Sequence, residues 1–120
     1  MEGNSQNEKD LPTRAYADRY LRSYKKWNDM LSSRKSAFDL DFDLSFDESI
    51  IQSQMYSIRA IILSVEDQRQ KMFLYLHYIK GVPVEKCTRV MNISRRTAFR
   101  LKSRALDTVG EMIKDKKVNF

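Results

Sequence analysis

Residues 84–104 read VEKCTRVMNISRRTAFRLKSR, and this stretch decides the fold. Pro83 precedes it and suits the entrance of a helix, so a short helix is predicted over about Val84–Met91. Asn92 follows, a residue that tolerates the left-handed backbone of a tight turn between helices. Ser94 is placed to cap a second helix that runs to about Lys114. A short helix, a turn of three or four residues and a longer helix make the helix-turn-helix. Thr88 is expected where the two helices approach most closely. Val84, Val90, Met91 and Ile93 are expected to form the apolar wedge between them.

At about 100° per residue the faces of the last helix separate cleanly. With Arg95 at zero, Ala98, Leu101, Ala105, Val109 and Met112 fall within roughly 240–320°, one buried stripe. Arg96, Phe99, Arg100 and Ser103 fall at roughly 40–140°, on the opposite side. Arg95 and Lys102 lie along one edge and Arg104 along the other. Between Ser94 and Arg104 there are five cations and no acid. A helix with one side docked and a cationic side outward suits the DNA major groove, which admits a single α-helix. Its N-terminal end is the end that reaches base edges. Arg95, Arg96, Phe99 and Arg100 are therefore the predicted base readers, with arginine forking to guanine and Phe99 meeting thymine methyls. Ser94, Thr97, Lys102, Ser103 and Arg104 complete the predicted DNA-binding set, with hydroxyls and cations directed at phosphate. The competing reading, a solvated basic helix with no charged partner, leaves five cations repelling one another for no return.

Upstream, FLYLHYIKG (residues 73–81) ends a helix at Gly81, a residue that serves as a helix C-terminal cap. Ser64-x-x-Asp67 is a capping pattern for that helix, whose buried line is predicted as Val65, Met72, Leu76 and Ile79. Another capping box, Ser45-x-x-Glu48, places the start of the preceding helix near Phe46 or Asp47. Its buried stripe is predicted as Ile51, Met55, Ile58 and Ile62, with Ile50 and Ile61 alongside. Before it, FDLDFDLSF (residues 38–46) alternates strictly and reads as an extended connector with one apolar and one acidic side. Asp39-x-Asp41-x-Asp43 lacks the turn glycine and closing glutamate of a calcium loop, so it is read as a solvated edge. Pro12 opens a long helix to about Ser36, in which Tyr16, Tyr20, Tyr24, Trp27 and Leu31 form an aromatic stripe, read as core or as a seam between two copies. Residues 1–11 show no hydrophobic periodicity and read as a frayed terminus.

Charge follows the same division. The 120 residues carry 22 basic and 16 acidic groups, a net +6. Residues 1–35 hold +3, residues 36–63 hold −4, and residues 64–120 hold +7. With three glycines and two prolines a turn-rich β-sandwich is excluded. One cysteine, Cys87, forms no internal disulfide, and no run of about 18 apolar residues spans a bilayer. The expectation is a cytoplasmic protein of the nucleoid without membrane association. His77 stands alone without cysteine or carboxylate partners at ligand spacing, and there is no glycine-rich phosphate loop. No catalytic residue, metal or cofactor is expected, and the chain is read as a non-enzyme.

FLYLHYIKGVPVEKC leading into MNISRRTAFRLKSRAL resembles region 4 of bacterial sigma factors over Glu66–Ile113. The wording ISRRTAFRLKSRAL is also similar to the C-terminal end of phage late-gene transcriptional regulators of the ArpU/RinA type. Asn92 stands where that motif commonly has glycine. The resemblance implies a sigma region 4-like helix-turn-helix DNA-binding domain, expected over residues 47–120 of an all-α chain in which periodicity adds the N-terminal helix at 12–36 and the connector at 37–46. It also implies a transcription activator that places its last helix in promoter DNA and acts on a host RNA polymerase. Ser94, Arg95, Arg96, Thr97, Phe99 and Arg100 occupy the recognition positions by the same resemblance. A homo-oligomer formed through the N-terminal helix is expected. Two other classes fit the pattern less closely: a small terminase subunit that packages phage DNA, and a helical protein-interaction module.

Overall fold

The computed structural model describes residues 12–36 and 44–116, and every regular element among them is helical. They are α1 (Pro12–Ser36), α2 (Leu44–Leu63), α3 (Gln68–Leu74), continued by a wide turn at Tyr75–Ile79, then α4 (Val84–Met91) and α5 (Arg95–Lys116). The chain is all-α. α1 packs along α2 on one side and α5 on the other, and α3 and α4 both rest against α5.

α1 begins at Pro12, whose missing N–H would have no partner in a first turn. Its deepest residues are Ala17, Leu21 and Tyr24, while Tyr20, Trp27 and Leu31 pack at the edge of the core and Tyr16 is 43% exposed. Of the predicted aromatic stripe, Tyr24 is core and Tyr20, Trp27 and Leu31 pack against it, while Ala17 and Leu21 complete the buried line and Tyr16 falls outside it. Lying between two helices, α1 meets its neighbours through Ala17, Leu21 and Tyr24 and sets its other rings at the margin. That line joins Ile51, Met55, Ile58 and Ile62 of α2 and Ala105, Leu106, Val109 and Ile113 of α5 in one core.

In α2 the four predicted core positions are buried, Ile61 joins them, and Ile50 is exposed. The helix already runs at Leu44, so residues 44–46 are helical and not extended, and Ser45 lies within the first turn. Alternation over three residues carries little weight once an amphipathic helix follows, because each residue added to an existing helix gains a hydrogen bond. The rest of the predicted connector, including Asp39, Asp41 and Asp43, lies outside the described residues. Ser64 closes α2 by bonding back to the Ala60 carbonyl. The cap of α3 is Asp67, whose carboxylate accepts the Gln70 N–H at 2.9 Å.

The predicted buried line Val65, Met72, Leu76 and Ile79 needs correction. Val65 is buried, but Met72 is 51% exposed and Leu76 and Ile79 are half-buried; Phe73, Leu74 and Tyr78 take the interior. α3 starts at Gln68, later than the capping pattern implied, and the Tyr75–Ile79 turn is a π-helix, widened by one residue. Its closing bond runs from the Lys80 N–H to the Tyr75 carbonyl. An extra residue per turn shifts every later side chain around the axis. Gly81, at φ 74, then ends the segment as predicted.

The turn into α5 is as the sequence predicts. Asn92 sits at φ 56, ψ 53, and the Ile93 N–H bonds the Thr88 carbonyl at 3.0 Å. The Ser94 hydroxyl accepts the Thr97 N–H at 3.0 Å. The wedge differs in detail. Cys87, fully buried, is the α4 residue turned inward, while Thr88 is half-buried with its hydroxyl donating to the Glu85 carbonyl. Val90 is 61% exposed and does not belong to the wedge; Val84, Met91 and Ile93 are half-buried.

Along α5 the buried face drifts. Ala98 and Ala105 are sealed and Leu101 is half-buried, while further on Leu106, Val109, Gly110 and Ile113 are buried and Met112 is partly so. The first half rests on α3 and α4; the second is also crossed by α1. Gly110 marks the crossing, because a Cβ there would lie 2.4 Å from Thr13 Cγ2 and 2.7 Å from the Thr13 carbonyl oxygen. Alanine would gain about 1 kcal/mol of helix propensity. The backbone oxygen of α1 cannot give way without moving the helix, at about 1–3 kcal/mol. Gly110→Ala is therefore expected to lower the melting temperature in a thermal scan, and a raised value would contradict the close crossing.

Candidate nucleic-acid interface

The cap at Ser94 and the left-handed Asn92 start α5, whose first three turns rest one side on α3 and α4 and turn the other to solvent. Arg95, Arg96, Phe99, Arg100 and Arg104 are exposed, and Ser103 is half-buried beside them. Phe99, at 44% exposed, is a large ring left in water on a face otherwise cationic. Arg96, Phe99, Arg100, Ser103 and Arg104 line one shallow concavity, together with Arg14 from α1 and Asp107.

The remaining predicted residues lie around that concavity. Arg95 spans the turn to Glu85 of α4 at 3.8 Å, with both side chains well exposed, and its guanidinium lies 5.8 Å from the centre of the Phe99 ring. So loose and wet a pair neutralises little of the charge. Ser94 and Thr97 serve the helix start first: the Ser94 hydroxyl bonds Thr97 Oγ1 at 3.0 Å as well as accepting its N–H. Lys102 is half-buried and near enough to His77 that its charge adds to burial in lowering the His77 pKa. Among the described residues no carboxylate pairs with Arg96, Arg100, Lys102 or Arg104.

Arg14 was not predicted. Its Nε and Nη2 donate to the two carboxylate oxygens of Asp107 at 2.8 and 2.9 Å, a fork joining residues 93 positions apart. The guanidinium holds the Asp107 carboxyl below the ordinary carboxylate range. Arg14 gives no signal in the sequence, since its place beside the α5 arginines follows from the α1 crossing. Gly110, one of three glycines and set within a helix, was the available clue to that crossing.

His77 and Cys87 stand behind this surface. The His77 ring stacks 5.4 Å from Phe73, and its Nδ1 donates to the Val82 carbonyl at 2.8 Å. Burial pushes its pKa below the usual value, so the ring is neutral at pH 7. It ties the wide turn to the loop before α4. Burial likewise pushes the Cys87 thiol up, away from the reactive thiolate. Among the described residues no three histidine, cysteine or acidic side chains gather to hold a metal ion. No described helix is long and apolar enough to cross a membrane. No protein-family model, curated protein or solved structure matches the chain.

Proposed function

We propose that the protein is a sequence-specific DNA-binding regulator of transcription, with the first three turns of α5 as its recognition helix in the major groove. The observation that carries this reading is the uncompensated row of Arg96, Arg100 and Arg104 around exposed Phe99 on a helix whose other side is sealed by Ala98 and Ala105. Cations arranged this way repel one another in the free protein and gain when they displace counterions from a polyphosphate. Arginine supplies the fork that reads guanine, and an apolar ring supplies contact with thymine methyls. The reach of the helix is limited: Arg14 and the α1 crossing cover α5 from about Asp107 onward, so the N-terminal turns are the part free to enter a groove.

The likeness to phage late-gene regulators supplies the class of gene, and contact with a host RNA polymerase the means of activation. Pairing of two copies on half-sites about one helical turn apart would use the outer edge of α1 near Tyr16, since the inner edge is occupied by the chain's own core. The test is selection of bound duplexes from a random pool, followed by affinity measurements across salt. A preferred sequence should emerge, and log affinity should fall linearly with log salt. Binding without preference, or a complex indifferent to salt, would contradict the proposal.

A further inference from the structure

We infer that Arg14, on α1, is a second-helix phosphate contact of the same DNA surface, held in place by Asp107. This rests on the reading of α5 as a recognition helix. Among the described residues Arg14 is the one cation on the concave face that comes from another element, and its position is fixed twice over. The close crossing at Gly110 brings the first turn of α1 onto α5, and the two-bond fork to Asp107 fixes the guanidinium. Only two of its five N–H donors are used in that fork, and its side chain is 55% exposed.

A helix about 10–12 Å across fills a groove about 12 Å wide, so a charge carried beside the helix meets the groove wall, where the phosphates run. Arg14 occupies such a flank beside the third and fourth turns, next to Arg104 and Asp107. Asp107 alone would turn a bare carboxylate toward those phosphates. Arg14 cancels it and leaves donors to spare, and α1 thereby becomes part of the DNA-binding surface as well as of the core.

The test compares the whole chain with Arg14→Ala and Asp107→Asn, each titrated with the selected duplex and with a random duplex across salt. Arg14→Ala should weaken both complexes by the same factor, roughly tenfold, and lower the salt slope by about one. Asp107→Asn breaks the same ion pair but keeps the cation, and should bind at least as tightly as the wild type with an unchanged slope. Equal losses in both variants with unaltered slopes would show that the pair merely joins the helices, and would overturn the inference. So would an Arg14→Ala variant that matches the wild type. If the wild-type chain itself fails to bind duplex, the reading of α5 falls and this inference with it. If the wild type binds and Arg14→Ala is silent, only this inference falls.

Discussion

Phe73→Ala is expected to destabilise the protein by about 3–5 kcal/mol, read as a large drop in the urea midpoint. The ring is fully buried and is the largest side chain so enclosed. Among the described residues, Phe73, Cys87 and Ala98 are the buried hydrophobics that lie outside the main core, one each on α3, α4 and α5. They form the small interior of the turn motif. Removing the ring also takes away the stacking partner of His77, which tethers the loop before α4. A small motif has little spare burial with which to close such a cavity. Its recognition helix should loosen as the core empties, so DNA affinity is expected to fall together with stability. An unfolding curve like the wild type's would mean that the interior of the motif is held by something other than this ring.

The second large effect is on binding. Arg96→Ala and Arg100→Ala are each expected to lower affinity for the selected duplex by about 1–3 kcal/mol, and to relax preference at the base each reads. Both side chains are exposed and neither holds a carboxylate among the described residues, so stability should change by no more than about 0.5 kcal/mol. Loss of affinity with unchanged melting separates a contact surface from a structural one. Unchanged affinity in both variants would remove these arginines from the interface.

What local chemistry decides could be read from the sequence. Pro83, Asn92 and Ser94 each act within a few residues of themselves, and the structure places the α4–α5 turn where they predict. Likewise Ile51, Met55, Ile58 and Ile62 keep helical spacing along one side of α2, and all four are buried. Phase was lost where a neighbour or an irregular turn intervened. Met72 and Phe73 exchange roles in α3, which starts at Gln68 after the Asp67 cap, and Tyr78 takes the interior in place of Ile79 in the widened turn that follows. Tyr16 and Ala17 exchange roles because α1 is packed on two sides. The drift of the buried face of α5 toward Leu106 and Ile113, and the arrival of Arg14 beside Arg100, depend on where α1 crosses. Side-chain spacing within one helix carries no information on a crossing that joins the two ends of the chain.

If α5 meets DNA through its N-terminal turns, amide chemical-shift mapping during titration with a selected duplex will show it. The largest changes are expected on Ser94–Arg104, with a smaller set at the start of α1 around Arg14. Changes confined to α2 and the outer edge of α1, with Arg96, Phe99 and Arg100 left undisturbed, would contradict it.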